Sequence, residues 1–451
     1  MASKQTRDPQ VPTRRPGIYP TLATLLLSLL LTTLTLTTIS ANPTSSDPNW
    51  DGSSPTSISD TQHRSVQPQI IVDDSGHILA AWSYRLSATP AQKNMDIYVA
   101  TSDSSGSTWS TPTVISTSAR TSHHPSLLAL NDDVFVAWVE LNDAIYETEI
   151  NSADPPRSVP CPLTAYDFQP QLVAGNGRLH LIFAAGAALP TNLYHTSRLS
   201  TDTSWPVATS IVTSNASLGA WWPAAAISPG GNLLHVVWEE KQSSTLEAIM
   251  YMSGTVSGPN VTWSTPLTLS TGIDLAFAPD IAVDEDGIVH IVFAESQADK
   301  TDQHVYYMQH DPNTGSWTPY TYVDDTPVQV NTESPTYIAP SIATWTGDNT
   351  TRVCVAWYGY RTGDPAKAEE ILLHCSEDGG DTWTDSTTFN ISQTTTEGEE
   401  VSLRPDIAFD AMGNLHIIWQ ERAGASLATD YDIYYSRSLI QVYLPLTMRS
   451  Y

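Results

Sequence analysis

The chain has 451 residues, 40% of them hydrophobic, and a formal net charge of −28 from 48 acidic against 20 basic side chains. So acidic a balance argues against nucleic acid and anionic lipid as partners, because both are held through basic surfaces. The acidic residues are spread through the intervals between apolar segments, as suits a soluble surface.

Residues 1 to 20 carry Lys4, Arg7, Arg14 and Arg15 against Asp8, and an apolar run from Leu22 to Ile39 ends in small residues near Ala41. That order reads as a signal peptide over residues 1–41, with 42–46 as a short linker. As an uncleaved anchor the threonine-rich run is barely long enough to span a bilayer. The sequence therefore predicts a secreted or cell-surface monomer with no stable membrane span once the segment is cleaved.

From there a phrase of roughly fifty residues recurs seven times, each with an apolar strand opened by proline, a tight turn, a second strand closed by an aromatic, and a third strand that often carries tyrosine. The openings fall at Pro68, Pro125, Pro170, Pro223, Pro279, Pro340 and Pro405, so successive intervals are 57, 45, 53, 56, 61 and 65 residues. The core of the repeat is fixed and its loops vary. Second strands close at Trp82, Trp138, Phe183, Trp238, Phe293, Trp357 and Trp419, after turns such as Asp74-Ser75-Gly76 and Asp286-Gly287. Fourth strands are expected to start at Trp109, near Arg157, and at Trp205, Trp263, Trp317 and Trp383.

The seventh unit lacks a fourth strand, while an unclaimed one stands at the other end of the chain, from Trp50 to Ser59. The expected fold is an all-β, seven-bladed β-propeller of four-stranded blades over residues 47–438, its last blade closed by that N-terminal strand; six blades is the fallback. A tail follows over residues 439–451, where Tyr443-Leu444-Pro445-Leu446 resembles a short ending of some secreted bacterial proteins.

One motif is specific enough to name a family. Ser376, Asp378, Gly380, Thr382 and Trp383 match the Asp-box, Ser-x-Asp-x-Gly-x-Thr-Trp, at every defined position, and Asp103, Gly106 and Trp109 match it with one inserted residue. The motif suits a hairpin turn in which Asp accepts backbone N–H groups, Gly takes the left-handed conformation and Trp packs beneath. The chain thus resembles the Asp-box, or BNR-repeat, propellers of the sialidase superfamily. That resemblance implies the fold and places the boxes as structural turns on the face opposite the active site. It leaves activity open, since the family holds sialidases, other glycosidases and propellers without known catalysis.

Two residues beyond each second-strand aromatic stand Tyr84, Glu140, Ala185, Glu240, Glu295, Gly359 and Glu421. They are expected to ring the channel mouth, where a glycosidase would need two carboxyl groups roughly 5 to 9 Å apart. Just before the prolines stand Gln67, His124, Gln169, Trp222, Ala278, Ala339 and Arg404, a second ring suited to binding a sugar. Candidate catalytic residues are Glu240, Glu295, Glu421 and Arg404; candidate ligand-binding residues are Tyr84, Glu140, His124, Gln169, Trp222, Tyr358 and Arg361. A sialidase, by the resemblance, would need three arginines converging beside a tyrosine–glutamate pair, and no opening has the Arg-Ile-Pro form that usually supplies the first.

Cys354 and Cys375 would lie opposite each other on adjacent strands and are candidates for a disulfide. His180, His235, His290 and His416 each precede the aromatic by three residues, but belong to different repeats, so no zinc is expected. No cofactor is expected, with calcium the one cation that carboxylate-rich loops would suit. Three functions remain open: a noncatalytic binder of a glycan, glycoconjugate or other surface ligand, an exo-acting sialidase-like glycoside hydrolase, and a scaffold for protein partners.

Overall fold

The computed structural model divides into Met1–Ser46 and Asp47–Tyr451. It describes residues 55–438 except 60–63, 86–94, 117, 132, 142–143, 162–168, 187–190, 214–218, 242, 244–245, 274, 297–301, 325–326, 331–337, 348–349, 362–368, 384–387, 393–399 and 424–430. The expected signal peptide, linker and tail, and Trp50 itself, lie outside the described residues.

Everything described is strand, turn or loop, arranged as antiparallel meanders. Ser65–Val72, Ile78–Arg85, Met95–Ser102 and Thr113–Val114 form one four-stranded sheet. Ser122–Leu130 to Arg157–Val159 form the next, and Gln171–Gly175 to Thr209–Val212 a third. In the fourth, Gly219–Ile227, Leu233–Lys241 and Glu247–Ser257 are completed by both Asn260–Trp263 and Leu267–Thr268. The meander from Ala276–Val283 to Thr321–Tyr322 is joined through Val328–Gln329 to the one from Ser341–Gly347 to Phe389–Asn390, making a ten-stranded sheet. Finally Glu400–Phe409, Leu415–Ala423 and Asp432–Arg437 take Thr56–Ser57 as fourth strand, with Thr56 opposite Tyr435 and Ser57 opposite Tyr434. This is an all-β structure of repeated four-stranded antiparallel sheets, consistent with a β-propeller.

The second strands are the core of each sheet. Trp82, Trp138, Phe183, Trp238, Phe293, Trp357 and Trp419 are each at most 1% exposed, and burying a side chain of this kind contributes about 1.5–3 kcal/mol. Their outer neighbours differ from the sequence-based expectation. Trp109 forms only an isolated bridge to Ser102, and the fourth strand pairs later, at Thr113–Val114; Trp263 and Trp317 end short paired strands rather than opening them, while the fourth strand expected near Arg157 does start there.

In the turn from Ser376 to Trp383, the Asp378 carboxylate accepts the Thr382 N–H at 2.9 Å and its hydroxyl at 2.6 Å, while Ser376 Oγ accepts the Gly380 N–H at 2.9 Å. Gly379 and Gly380 have φ of 75° and 89°. These turns also dock one meander on another. A Cβ at Gly380 would collide with the Tyr307 hydroxyl, and one at Gly106 with that of Tyr435. Tyr307 meets Trp383 edge-on at 4.8 Å, and Tyr435 meets Trp109 at 5.0 Å.

Cys354 and Cys375, paired in register across adjacent strands, are joined by a disulfide. The recurrent histidines are buried in separate sheets. His235, His290 and His416 bond the hydroxyls of Tyr251, Tyr307 and Tyr435 at 2.7, 2.7 and 2.8 Å, and His180 bonds His195 at 3.1 Å. Burial pushes the His180 and His235 pKa down to about 4. Among the described residues no group of three or more His, Cys, Asp or Glu side chains is placed to hold a metal ion, and no helix is long and apolar enough to cross a membrane.

Candidate functional site

Proline inside a strand needs a place where its missing N–H breaks no ladder, and a β-bulge is such a place. In five of the first strands the register shifts across the Xaa-Pro pair, between Val66 and Gln69, His123 and Ser126, Trp221 and Ala224, Phe277 and Asp280, and Leu403 and Asp406. The residue before each of these prolines is forced to positive φ: Gln67 58°, His124 53°, Trp222 47°, Ala278 48° and Arg404 52°. Left-handed backbone at bulky side chains is costly, and such strain persists where the surroundings over-determine it, often at binding sites.

The bulges turn these residues toward one cavity of about 150 Å³. All seven strand-opening prolines line it, together with Gln67, His124, Gln169, Trp222, Ala278, Ala339 and Arg404. The Arg404 guanidinium lies over the Trp222 ring, 5.8 Å from its centroid, and His124 meets the same indole edge-on at 6.3 Å. The two alanines leave one side of the ring without long side chains.

A hydrogen-bond relay fixes the polar side. Ser83 Oγ donates to Gln67 Oε1 at 3.1 Å, so the Gln67 amide nitrogen donates to His124 Nε2 at 2.7 Å. With Nε2 accepting, His124 carries its proton on Nδ1 and presents it to Nδ1 of His123 at 2.8 Å. Burial, followed by the neighbouring His123 and Arg404, holds the His124 pKa well below its ordinary value. His124 is therefore a neutral group of fixed orientation.

The residue after the proline joins neighbouring sheets. Gln69 Oε1 accepts the Leu127 N–H at 3.1 Å, Ser126 Oγ that of Leu172 at 2.9 Å, Asp280 Oδ2 that of Ile342 at 2.9 Å, and Asp406 Oδ2 that of Ile70 at 2.7 Å. Ser341 Oγ donates to Asp406 Oδ1 at 3.1 Å. Burial pushes Asp280 up to about 6 and Asp406 up to about 7. Both carboxyl groups line the cavity, but their oxygens already accept bonds from the frame.

The ring of residues two beyond the aromatics lies elsewhere. Positions i and i+2 of a strand face the same way, so each glutamate stands beside its own tryptophan. Trp138 Nε1 donates to Glu140 at 3.1 Å, Trp238 Nε1 to Glu240 at 3.0 Å, and Trp419 Nε1 to Glu421 at 2.6 Å. Ser118 and Ser122 also donate to Glu140, and Ser402 to Glu421 at 2.6 Å. Glu295 follows a phenylalanine and has no indole; it is half-buried, with its pKa raised by burial against the pull of His304. Tyr84 packs on Tyr98 at 4.7 Å, and Tyr358 is buried with its pKa raised by burial. None of these lines the cavity, and the Arg361 side chain lies outside the described residues.

Sequence reasoning missed the position between the two rings, one residue beyond the aromatic. It faces the opposite way from the indole, toward the bulges. Gln420 Oε1 accepts the Gln67 N–H at 3.2 Å, and Glu239 Oε2 accepts that of Ala278 at 3.5 Å. Burial and then Glu247 push the Glu239 carboxyl up to about 7, against Lys241 at 3.9 Å. Strand alternation carried that signal.

No protein-family model matches the chain, and no curated protein matches it. Among solved structures it is similar to a protein of unknown function from Dyadobacter fermentans, at 12% identity and a TM-score of 0.52 over 86% of this chain and 98% of that one. This likeness shows a shared fold. It is also similar to the intramolecular trans-sialidase of Ruminococcus gnavus, at 13% identity and a TM-score of 0.47 over 88% of this chain and 99% of that one. A leech intramolecular trans-sialidase follows, at 12% identity and 0.48 over 87% and 70%.

Proposed function

We propose that the chain is a secreted, seven-bladed Asp-box propeller that binds a glycan or glycoconjugate at its channel mouth without hydrolysing it. Repeat count supports the blade number: seven prolines share one cavity, and the bonds from Asp406 to Ile70 and from Thr56–Ser57 to the last sheet bring the two ends together. The basic and apolar order of residues 1–41 supports export.

One observation carries the binding reading: strained backbone at five bulges sets Arg404, Trp222, His124 and Gln67 around a single recess. An indole offers an apolar face to a sugar ring, and the guanidinium, imidazole and amides suit its hydroxyls or an acidic substituent. Glu240 and Glu421, two of the three candidate catalytic glutamates, instead accept bonds from buried indoles. A second reading, a glycoside hydrolase, draws on Glu239, which accepts the N–H of the cavity-lining Ala278 at 3.5 Å and whose carboxyl burial raises to about 7, as a general acid would need.

A glycan array that includes sialosides, run beside a panel of fluorogenic glycosides, separates the two. The binding reading expects array hits that Trp222→Ala and Arg404→Ala each remove, with no turnover of any glycoside. Turnover that Glu239→Gln abolishes would replace it with the hydrolase.

A further inference from the structure

A second recess, of about 790 Å³, lies at the edge strand Thr321–Tyr322, where its sheet meets the turn over residues 376–383. Ligand sites commonly span about 300–1,000 Å³. Its walls are pinned: Gln309 Nε2 donates to the Gly379 carbonyl at 2.7 Å, Tyr307 Oη to the same oxygen at 3.3 Å, and His374 Nδ1 to the Val323 carbonyl at 2.6 Å.

The repeat is broken here in a specific way. Across from the third-strand residue that pairs with each core aromatic, the fourth strands carry Ser57, Val114, Ser158, Ser210, Thr268 and Asn390. At the corresponding place this sheet carries Tyr322 opposite Tyr306. The Tyr322 ring stacks on Tyr306 at 4.7 Å and 27°, accepts the Tyr306 hydroxyl proton at 3.0 Å, and lies 4.5 Å from His304. Tyr320 braces Tyr306 edge-on at 5.1 Å. Tyr322 is nevertheless 47% exposed. A ring ordered from below and left open is a platform rather than a core residue.

The polar groups around it narrow the ligand. Asp324 and Asp381 line the recess and, among the described residues, no lysine or arginine does, which disfavours an anionic sugar. Asp324 is 5% exposed and already bonded to His304 at 3.2 Å, so it is not offered to a cation on the neighbouring ring. We propose that this recess is a second, separate site for a neutral saccharide, whose pyranose face lies on Tyr322 while its hydroxyls bond Asp381 and Thr321.

The test titrates the full-length protein with cello-, xylo-, manno- and galactotriose, and with sialyllactose and tetralysine as charged comparisons, by saturation-transfer NMR and calorimetry. At least one neutral triose is expected to bind. Tyr322→Ala and Asp381→Asn, both on exposed side chains, should each weaken it by about tenfold or more, whereas Trp222→Ala should leave it unchanged. The proposal is overturned if no neutral triose binds at about 10 mM. It is equally overturned if binding survives both variants, if Trp222→Ala removes it, or if only a charged probe depends on Tyr322. Failure of the channel-mouth site leaves each of these outcomes readable, since that site is probed by Trp222.

Discussion

Asp406 Oδ2 accepts the backbone N–H of Ile70 at 2.7 Å, across a sequence separation of 336 residues. The bond repeats, between the last and first units, the link that Gln69, Ser126 and Asp280 make between successive ones. Replacing Asp406 by alanine leaves that buried donor unpaired and is expected to lower stability by about 1–3 kcal/mol in urea unfolding. A loss within error would mean that the contact does not hold the ends together.

The same carboxyl sets a pH dependence. Burial raises Asp406 to about 7 and Asp280 to about 6 from an ordinary 3.8, so the folded chain holds these protons more tightly than the unfolded chain. Their contribution is therefore full below the unfolded value and is lost as pH rises, over roughly pH 4 to 7. Melting temperature followed across that window should fall less steeply in Asp406→Asn, which keeps an acceptor for Ile70 and cannot ionise. An unchanged slope would assign the dependence to other groups.

Gly380 combines a φ of 89° with a hydroxyl where its Cβ would be. Gly380→Ala is expected to cost about 1–3 kcal/mol through strain and overpacking. Because the Tyr307 hydroxyl is the nearest atom the new Cβ meets, ahead of Tyr307 Cζ and Gln309 Nε2, adding Tyr307→Phe should return part of the loss. A double-mutant cycle in denaturant measures the coupling; strict additivity would contradict the docking role.

Glu421 accepts bonds from Trp419 Nε1 and Ser402 Oγ. Glutamine keeps a carbonyl oxygen for the indole, so Glu421→Gln should retain most of the stability, while Glu421→Ala should lose about 1–3 kcal/mol. If any glycosidase activity is found, it should survive Glu421→Gln. Its abolition in that variant would restore Glu421 as a catalytic residue.

The Cys354–Cys375 disulfide closes a separation of 21 residues. Chain-entropy reasoning gives about 3 kcal/mol for a loop of this size, so the paired Cys354→Ser and Cys375→Ser variant should melt several degrees lower. Equal melting of oxidised wild type and variant would deny the bond a stabilising role.

Much of this was legible along the chain. Period-two patterning and the recurring proline, aromatic and tyrosine marked the strands, and the unclaimed strand near Ser57 was matched to the sheet that lacked one. The pre-proline ring was legible too, because a position counted from a repeated landmark recurs in space. The glutamate ring was counted just as regularly and went elsewhere, since counting fixes the height of a residue on a strand but not the face it leaves by. Trp138-Val139-Glu140 and Trp419-Gln420-Glu421 carry the parity that answers this, once the indole is known to face between sheets.

The sequence by itself determined the repeat, the turn chemistry of Ser376 to Trp383, and the residues that stand before each proline, because these follow from local backbone preference and hydrophobic alternation. Only the tertiary structure decided which polar groups are spent and which are offered. Glu140, Glu240 and Glu421 are absorbed by buried indoles; Arg404 and Trp222 meet over a recess, and Tyr322 is left open on a braced ring. The physical reason is that a buried polar group must find a partner, and the partners lie on neighbouring strands and sheets whose approach no single stretch of chain encodes.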